Sequence, residues 1–247
     1  MAGLEENLRA VRARIDTAAR AAGREPSSVA LLAVSKTFPA ADVQALAALG
    51  QRDFGENRAQ ELLDKARQLE TAPGLALRWH FIGQLQRNKA AAVARLGAAV
   101  HSVDRESLAR VLDRVGQEQD RPVEVFVQVD LGGPAGDLGT RGGLAPDDVP
   151  ALADLVAGSP GLSLRGLMAV APRGEEPGPA FERLAALAAR VRADHPGAVD
   201  LSAGMSGDLE DAVAAGATVV RVGTALFGDR PLPFAKIREH QPPESHQ

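Results

Sequence analysis

The sequence contains no cysteine, and this absence excludes several kinds of chemistry at once. Without thiols the chain can form no disulfide framework, no thiolate metal site, no cysteine nucleophile and no iron–sulfur cluster. A chain without disulfides is typical of the cytosol, so we expect a cytoplasmic protein. Tyrosine is absent too, and aromatic residues make up only 3 % of the chain. No phenolic side chain is therefore available as a catalytic acid or base.

Excess positive charge and long apolar segments are also missing. The 28 Lys and Arg residues are outnumbered by 32 Asp and Glu residues, which gives a formal net charge of −4. This balance argues against a nucleic-acid-binding surface based on bulk charge. No apolar run approaches membrane-spanning length, and charged residues interrupt the N-terminal segment where a signal peptide needs an apolar stretch. We expect no nucleic-acid partner and no membrane partner, and we expect a monomer.

Strand and helix signals alternate along the chain. Short apolar segments predict eight strands, at 29–34, 52–54, 78–82, 99–103, 123–129, 164–168, 199–202 and 217–222. Amphipathic segments between them predict helices, and a further amphipathic helix at 4–22 precedes the first strand. The pattern predicts an α/β fold, namely a single (β/α)8 barrel of the TIM type with an extra N-terminal helix. We expect the barrel to occupy residues 1–230 and a flexible C-terminal tail to occupy 231–247.

A doubly wound open sheet is the competing architecture for such an alternation. That fold usually places a Gly-x-Gly-x-x-Gly turn after its first strand, where the turn binds the phosphates of a dinucleotide. Here Ser35-Lys36-Thr37 follows the first predicted strand instead. The sequence therefore favours the barrel.

Lys36 is the most informative of the polar residues that follow predicted strands. Catalytic and ligand-binding residues of such barrels lie where the strands end, because the loops there form one rim around the barrel mouth. A lysine at the edge of a dry core is desolvated, which favours the neutral amine and allows it to form a Schiff base. The alternative is a lysine whose stem packs on the strand end while its ammonium group lies in water.

Two glycine-containing loops follow the seventh and eighth predicted strands, where barrels of this kind usually bind phosphate. The loops contain three glycines that let backbone N–H groups approach an anion and three hydroxyl side chains that add donors: Gly204, Gly207, Gly223, Ser202, Ser206 and Thr224. Tight turns and helix capping are the alternative interpretation, and Asp208, Glu210 and Asp211 would repel an anion if they faced inward. An amine nucleophile and a phosphate site on one rim suggest pyridoxal 5′-phosphate.

Six segments resemble the YggS/PROSC family of pyridoxal-phosphate homeostasis proteins. They lie at 33–37, 54–57, 79–89, 165–168, 201–206 and 220–228, so the resemblance runs in order from Val29 to Gly228. It implies a barrel similar to the N-terminal domain of alanine racemase, with pyridoxal phosphate bound to Lys36.

The resemblance also implies a role for individual side chains around the cofactor. Ser206, Gly223 and Thr224 are expected to hold the phosphate, and Arg221 is expected to face the pyridine nitrogen. Asn57 and His80 are expected to line the pocket near the ring. With Lys36 and Ser202, these residues form the predicted cofactor-binding set.

Arg221 and the lack of tyrosine bear on catalysis. A guanidinium favours an unprotonated pyridine ring, which is a weak electron sink, and a racemase needs a second base that tyrosine cannot supply here. We therefore predict a protein of intracellular pyridoxal phosphate homeostasis without robust turnover, with related B6 vitamers and apo-enzymes that need the cofactor as partners. The alternatives are a racemase or decarboxylase that uses the same cofactor, a cofactor-free Schiff-base aldolase, and a scaffold without ligand.

Overall fold

The computed structural model describes residues 2–70, 75–132 and 142–228 of the 247-residue chain. Eight parallel strands in these residues close into a barrel in the order β1 to β8. The strands are β1 Ala30–Val34, β2 Asp53–Glu56, β3 Arg78–Phe81, β4 Ala99–Val103, β5 Val123–Val129, β6 Leu162–Ala169, β7 Asp200–Ser202 and β8 Val219–Val222. The predicted α/β barrel fold is confirmed.

Helices cover the outside of the barrel. They are α1 Ala2–Ala21, α2 Ala40–Ala48, α3 Ala59–Leu69, α4 Arg87–Leu96, α5 Glu106–Glu118, α6 Val149–Ala157, α7 Pro177–Asp194, α8 Leu209–Ala214 and α9 Thr224–Phe227. Within the described residues, no helix is both long enough and apolar enough to span a bilayer. The predicted C-terminal tail, 231–247, lies outside the described residues.

The N-terminal helix completes the outer layer of helices. Within the described residues, which end at 228, the single-turn helix α9 is the helix that follows β8. Helix α1 packs between α8 and α2 and contacts α9, and it buries Leu8, Val11 and Ile15 against the core. The extra helix that the sequence predicts is present, and it takes the position of the eighth barrel helix.

Alternation along β3 shows how strands assign side chains to the two faces of the barrel wall. Trp79 points outward, packs at 6.1 Å from the ring of Phe54 on β2, and joins the layer between strands and helices. His80, the next residue, points into the barrel, where it meets His101 of β4. The interior of this barrel is therefore partly polar.

Some predicted boundaries differ from the structure. Strand β8 begins at Val219 rather than at 217, and β6 runs from Leu162 to Ala169 rather than over 164–168. Helix α1 begins at Ala2 rather than at 4. Helix α9 was not predicted, because four residues are too few to show a helical period.

Candidate functional site

Lys36 lies in a turn directly after β1, at the carboxyl end of the barrel. The turn is unusual because Thr37 has φ of +71°, a left-handed conformation that β-branched residues rarely adopt. Such a conformation costs on the order of 1–3 kcal/mol and persists only where surrounding contacts hold it. One of these contacts is the backbone N–H of Thr37, which donates to Oε1 of Glu61 at 2.6 Å.

A buried group of charged side chains, which we call the Lys65 cluster, holds the turn from both sides of Lys36. The cluster consists of Ser35, Glu56, Glu61 and Lys65. Nζ of Lys65 donates to the backbone oxygen of Ser35 at 2.7 Å, to Oε1 of Glu56 at 2.6 Å and to Oε1 of Glu61 at 2.8 Å. Oγ of Ser35 donates to Oε1 of Glu56 at 2.7 Å.

Glu56 is a fully buried carboxylate in the Lys65 cluster. Its side chain is 0 % exposed, and its second oxygen, Oε2, has no hydrogen-bond partner. Burial raises the pKa of Glu56, while the hydrogen bonds from Lys65 and Ser35 oppose that rise. The carboxylate therefore depends on Lys65 for its charge balance.

Lys36 lines a cavity of about 240 Å³ at the mouth of the barrel. The cavity has an apolar side and a polar side, lined respectively by Val34, Phe38, Ile82 and Met205, and by Lys36, Ser206, Gly207, Arg221, Gly223 and Thr224. The ring of Phe38 stacks on that of Phe227 at 4.9 Å, which fixes one apolar edge. A small cavity with an apolar wall and converging polar groups is the usual form of a cofactor site.

A larger groove of about 650 Å³ lies between α1 and α8 on the outside of the barrel. Alanines form most of its lining, and its charged groups include Arg14 and Glu210, which pair with each other at 2.8 Å. The groove lacks the converging polar groups of the barrel mouth, so we place the candidate site at the smaller cavity.

The loops after β7 and β8 form the part of the cavity that suits an anion. Among the described residues, the backbone N–H groups of Gly207, Gly223 and Thr224 have no hydrogen-bond acceptor. A Cβ on Gly223 would lie 3.3 Å from the backbone oxygen of Val34, so a larger residue would crowd this wall. Ser206 adds a hydroxyl group, whose Oγ accepts a hydrogen bond from the N–H of Ala225 at 3.3 Å.

The acidic residues that follow β7 do not oppose an anion as strongly as their positions in the sequence suggest. Oδ1 of Asp208 accepts a hydrogen bond from the N–H of Met205 at 2.5 Å. Glu210 faces the outside, where both of its carboxylate oxygens accept hydrogen bonds from Arg14. These two carboxylates are therefore already engaged by donors of the protein.

Arg221 of β8 lies beneath the cavity and is 4 % exposed. Its Nη1 donates to the backbone oxygen of Ser202 at 2.6 Å and to Oγ of Ser202 at 2.8 Å, and its Nη2 donates to the backbone oxygen of Ala169 at 2.7 Å. No described residue accepts a hydrogen bond from Nε. Burial lowers the pKa of Arg221 to about 10, against an opposing effect of Asp208, so the side chain is a cation at neutral pH.

The structure brings five of the eight predicted site residues to the cavity: Lys36, Ser206, Arg221, Gly223 and Thr224. Ser202 lies below Arg221 as a fully buried hydrogen-bond partner. His80 lies deeper in the barrel, with Nδ1 at 3.0 Å from Nε2 of His101 and Nε2 at 3.1 Å from Oδ1 of Asp53. Asn57 is half-buried after β2, and its backbone lies so close to Gly83 that a Cβ there would be 2.2 Å from the Asn57 oxygen.

The predicted site residues include neither the Lys65 cluster nor the apolar wall of the cavity. A signal for Lys65 was available, since it shares the buried stripe of α3 with Leu62, Ala66 and Leu69 at helical spacing. A lysine on the buried face of a helix needs a partner, and the nearby strand ends offer Glu56. No comparable signal identifies Phe38, Ile82 and Met205, because apolar residues near strand ends occur throughout the chain.

Comparison with known proteins places the chain among relatives of similar length. Residues 7–231 match the family described as alanine racemase, N-terminal domain. The pyridoxal phosphate homeostasis protein of Pseudomonas aeruginosa is 47 % identical over 236 residues, which cover 93 % of this chain and 97 % of that protein. The protein of the same name from Vibrio cholerae is 42 % identical over 235 residues, covering 93 % and 98 %.

Solved structures agree with this assignment. PipY of Synechococcus elongatus PCC7942 with pyridoxal phosphate (PLP) bound has a TM-score of 0.78 at 38 % identity, and the match covers 91 % of this chain and 100 % of PipY. Alanine racemase of Corynebacterium glutamicum shares the fold, with a TM-score of 0.66 at 18 % identity over 91 % of this chain and 62 % of that one. The chain belongs to the alanine racemase N-terminal domain family and, within it, to the pyridoxal phosphate homeostasis proteins.

Proposed function

We propose that this protein binds pyridoxal 5′-phosphate as a Schiff base on Lys36 and acts in the intracellular homeostasis of that cofactor. The observation that carries the proposal is the single cavity lined by the Lys36 amine and by the anion-suited loops after β7 and β8. A cofactor with an aldehyde at one position and a phosphate at another needs both an amine and an anion-binding site. The name of the curated relatives and the ligand of PipY support the same conclusion.

Each polar group of the cavity has a part in this proposal. When bound, pyridoxal phosphate supplies an aldehyde that condenses with amines and a ring that withdraws electrons. The backbone N–H groups of Gly207, Gly223 and Thr224 and the hydroxyl of Ser206 hold the phosphate. Arg221 would face the pyridine nitrogen as a hydrogen-bond donor, and the apolar wall would exclude water from the amine of Lys36.

The chemistry of Arg221 supports a binding role without robust turnover. A guanidinium donates a hydrogen bond but does not give up its proton to a pyridine, so the ring nitrogen stays unprotonated and stabilises a carbanion weakly. The chain has no tyrosine that could act as a second base. We therefore expect no racemisation or decarboxylation when purified protein is incubated with a panel of D- and L-amino acids, and steady turnover of any of them would contradict this part.

We further propose that the protein acts in the cytosol as a monomer, binds related B6 vitamers and supplies apo-enzymes that need the cofactor. The lack of cysteine is consistent with the cytosol. Among the described residues, the exposed large hydrophobic side chains are Leu49 after α2, Val199 before β7 and Met205 after β7. Light scattering tests the monomer, and transfer of cofactor from loaded protein to a purified apo-enzyme tests supply.

The test of binding is absorbance. We expect the purified protein, incubated with pyridoxal phosphate and then desalted, to be yellow, and we expect Lys36→Ala to lose the colour because the lysine amine that lines the cavity is removed. Lys89→Ala is the matched control, since Lys89 is an exposed lysine on α4 and should leave the colour unchanged. A wild-type protein that stays colourless after incubation would contradict the proposed function.

A further inference from the structure

A row of polar side chains crosses the interior of the barrel beneath the cavity. It starts at Arg221 and passes through Ser202, His101 and His80 to Asp53 at the amino end of β2. Nη1 of Arg221 lies 2.8 Å from Oγ of Ser202, which lies 2.9 Å from Nδ1 of His101. Nε2 of His101 lies 3.0 Å from Nδ1 of His80, and Nε2 of His80 lies 3.1 Å from Oδ1 of Asp53. We call this row the interior relay.

The environment of the interior relay is dry and rigid. Ser202 and His101 are fully buried or nearly so, and the ring of His101 stacks on Phe126 with 4.0 Å between ring centroids. Arg78 closes the far end, because its Nε donates to Oδ1 of Asp53 at 2.6 Å. Water therefore competes for these hydrogen bonds only near Asp53, and each internal member depends on its neighbours for satisfaction.

One direction of the relay satisfies all of its donors. Arg221 is a donor only, so Oγ of Ser202 accepts from it, and among the described residues Nδ1 of His101 is the acceptor that remains for the hydroxyl proton. A neutral His101 whose Nδ1 accepts must carry its proton on Nε2, and it donates to Nδ1 of His80. By the same rule His80 carries its proton on Nε2 and donates to the carboxylate of Asp53.

Charges at the two ends agree with this direction. Burial, together with the nearby His80 and the cation Arg221, lowers the pKa of His101 well below its usual value, so this ring is neutral. Burial opposes ionisation of Asp53, but the hydrogen bonds from His80 and Arg78 outweigh it and hold the pKa of Asp53 below its usual value. The relay thus runs from a guanidinium cation to a carboxylate anion through Ser202 and two histidine rings.

We propose that His101 and His80 are positioning residues: through hydrogen bonds anchored on Asp53, they hold the guanidinium of Arg221 in one orientation toward the ring of bound pyridoxal phosphate. Three hydrogen bonds fix Nη1 and Nη2, and Nε has no acceptor among the described residues, so it would be available to the ligand. The proposal deepens the proposed function and gives His80 an indirect role rather than a contact with the cofactor. The experiments below that use bound pyridoxal phosphate rest on the proposed function.

The first experiment uses protein without ligand. In long-range ¹H–¹⁵N spectra of histidine-labelled protein, we expect His80 and His101 to be neutral with the proton on Nε2 in each ring. A proton on Nδ1 of His101, or a doubly protonated His101, would overturn the direction of the relay. His101→Leu and His195→Asn assign the signals, because His195 pairs with Asp154 on the outside of the barrel.

Arg221 provides a second readout in the same ligand-free protein. We expect the guanidinium to rotate slowly about its Cζ–Nη bonds in wild-type protein and to give separate Nη signals. In His101→Leu the hydroxyl of Ser202 loses its acceptor and can reorient, so these signals should merge. Separate Nη signals that persist in His101→Leu would show that the relay does not hold Arg221.

The final experiment measures bound pyridoxal phosphate. We expect His101→Leu to shift the visible absorption band and to weaken binding about tenfold, because a buried donor without its acceptor disturbs the partner of the ring nitrogen. His101→Asn, whose amide oxygen can accept from Ser202, should restore both properties in large part, and His195→Asn should change neither. Equal absorbance and affinity in wild type and His101→Leu would contradict the proposal.

These outcomes separate the two proposals from each other. If wild-type protein fails to bind pyridoxal phosphate, the proposed function is wrong, while the ligand-free spectra still decide the relay. If wild type binds but His101→Leu behaves like wild type in all readouts, the proposed function stands and the positioning role is wrong. Should His101→Leu fail to fold, Ser202→Ala provides a second variant, because it removes the hydroxyl that links Arg221 to His101 and should also shift the visible absorption band.

Discussion

Lys36 and Arg221 reach the same cavity from the neighbouring strands β1 and β8, but the protein holds them in different ways. The Lys65 cluster forms hydrogen bonds with the backbone on both sides of Lys36, at the oxygen of Ser35 and the N–H of Thr37. The interior relay instead forms a hydrogen bond with the side chain of Arg221 itself, at Nη1. The first arrangement is ionic, and the second passes through Ser202 and two histidine rings.

This difference matches what each side chain has to do. A lysine that reacts with an aldehyde must move between the free amine and the bound state, so it is better oriented through its backbone than through its nitrogen. A guanidinium that only donates to a ring nitrogen benefits from a fixed plane, which hydrogen bonds to its own nitrogen atoms provide. The Lys65 cluster should therefore govern mainly stability, and the interior relay should govern mainly the properties of the ligand.

The largest expected effect is that of Lys65→Met on stability. Removing the cation leaves the fully buried Glu56 without its partner, and breaking a buried ion pair in this way costs about 3–5 kcal/mol. Urea denaturation measures the loss in the free energy of unfolding. Arg67→Met on the same helix is the control, because its pair with Asp64 is exposed and contributes less than about 1 kcal/mol. Equal losses in the two variants would contradict the importance of the cluster.

Two buried serines allow the two regions to be compared with the same substitution. Ser35 and Ser202 are both fully buried or nearly so, and each Oγ joins one of the two networks. We expect Ser35→Ala and Ser202→Ala each to lower the free energy of unfolding by about 1–3 kcal/mol, because each leaves a buried polar group unpaired. Only Ser202→Ala should shift the absorption band of bound pyridoxal phosphate. A larger band shift in Ser35→Ala would reverse our assignment of the two regions.

The smallest expected effect concerns pH. The pKa of Asp53 is lowered in the folded protein, so its contribution to stability is present above the pKa of the unfolded chain and is lost as the pH falls through the folded value. Glu56 has a raised pKa and works in the opposite direction. The loss of stability of wild type on acidification below about pH 4 should therefore be smaller in Asp53→Asn, by less than about 1 kcal/mol since Asp53 is partly exposed. Parallel urea titrations of the two proteins across this pH range provide the measurement, and identical pH dependence would contradict the role of Asp53.

The sequence predicted the barrel well because its signals are periodic and repeated. Each strand is a short apolar run and each helix has an apolar stripe, so an error of two residues at the start of β8 does not change the order of elements. It also predicted the part of the site that lies where strands end, including Lys36 and Arg221, since that position follows from the order alone.

Depth inside the barrel could not be predicted in the same way. Alternation along a strand tells which side chains face the interior, but it does not tell how far below the mouth each one lies. His80 and Arg221 both face inward and each is the third residue of a four-residue strand, yet of the two only Arg221 lines the cavity, while His80 meets His101 and Asp53. Networks such as the interior relay depend on which strands face each other across the barrel, and a single sequence does not give that information.

The most direct test of the central claim is to locate the covalent link. Protein incubated with pyridoxal phosphate is reduced with borohydride, digested and analysed by mass spectrometry. The chain has four lysines, at 36, 65, 89 and 236. We predict one pyridoxyl group, on the peptide that contains Lys36. A label on another lysine, or no label at all, would contradict the proposed Schiff base on Lys36.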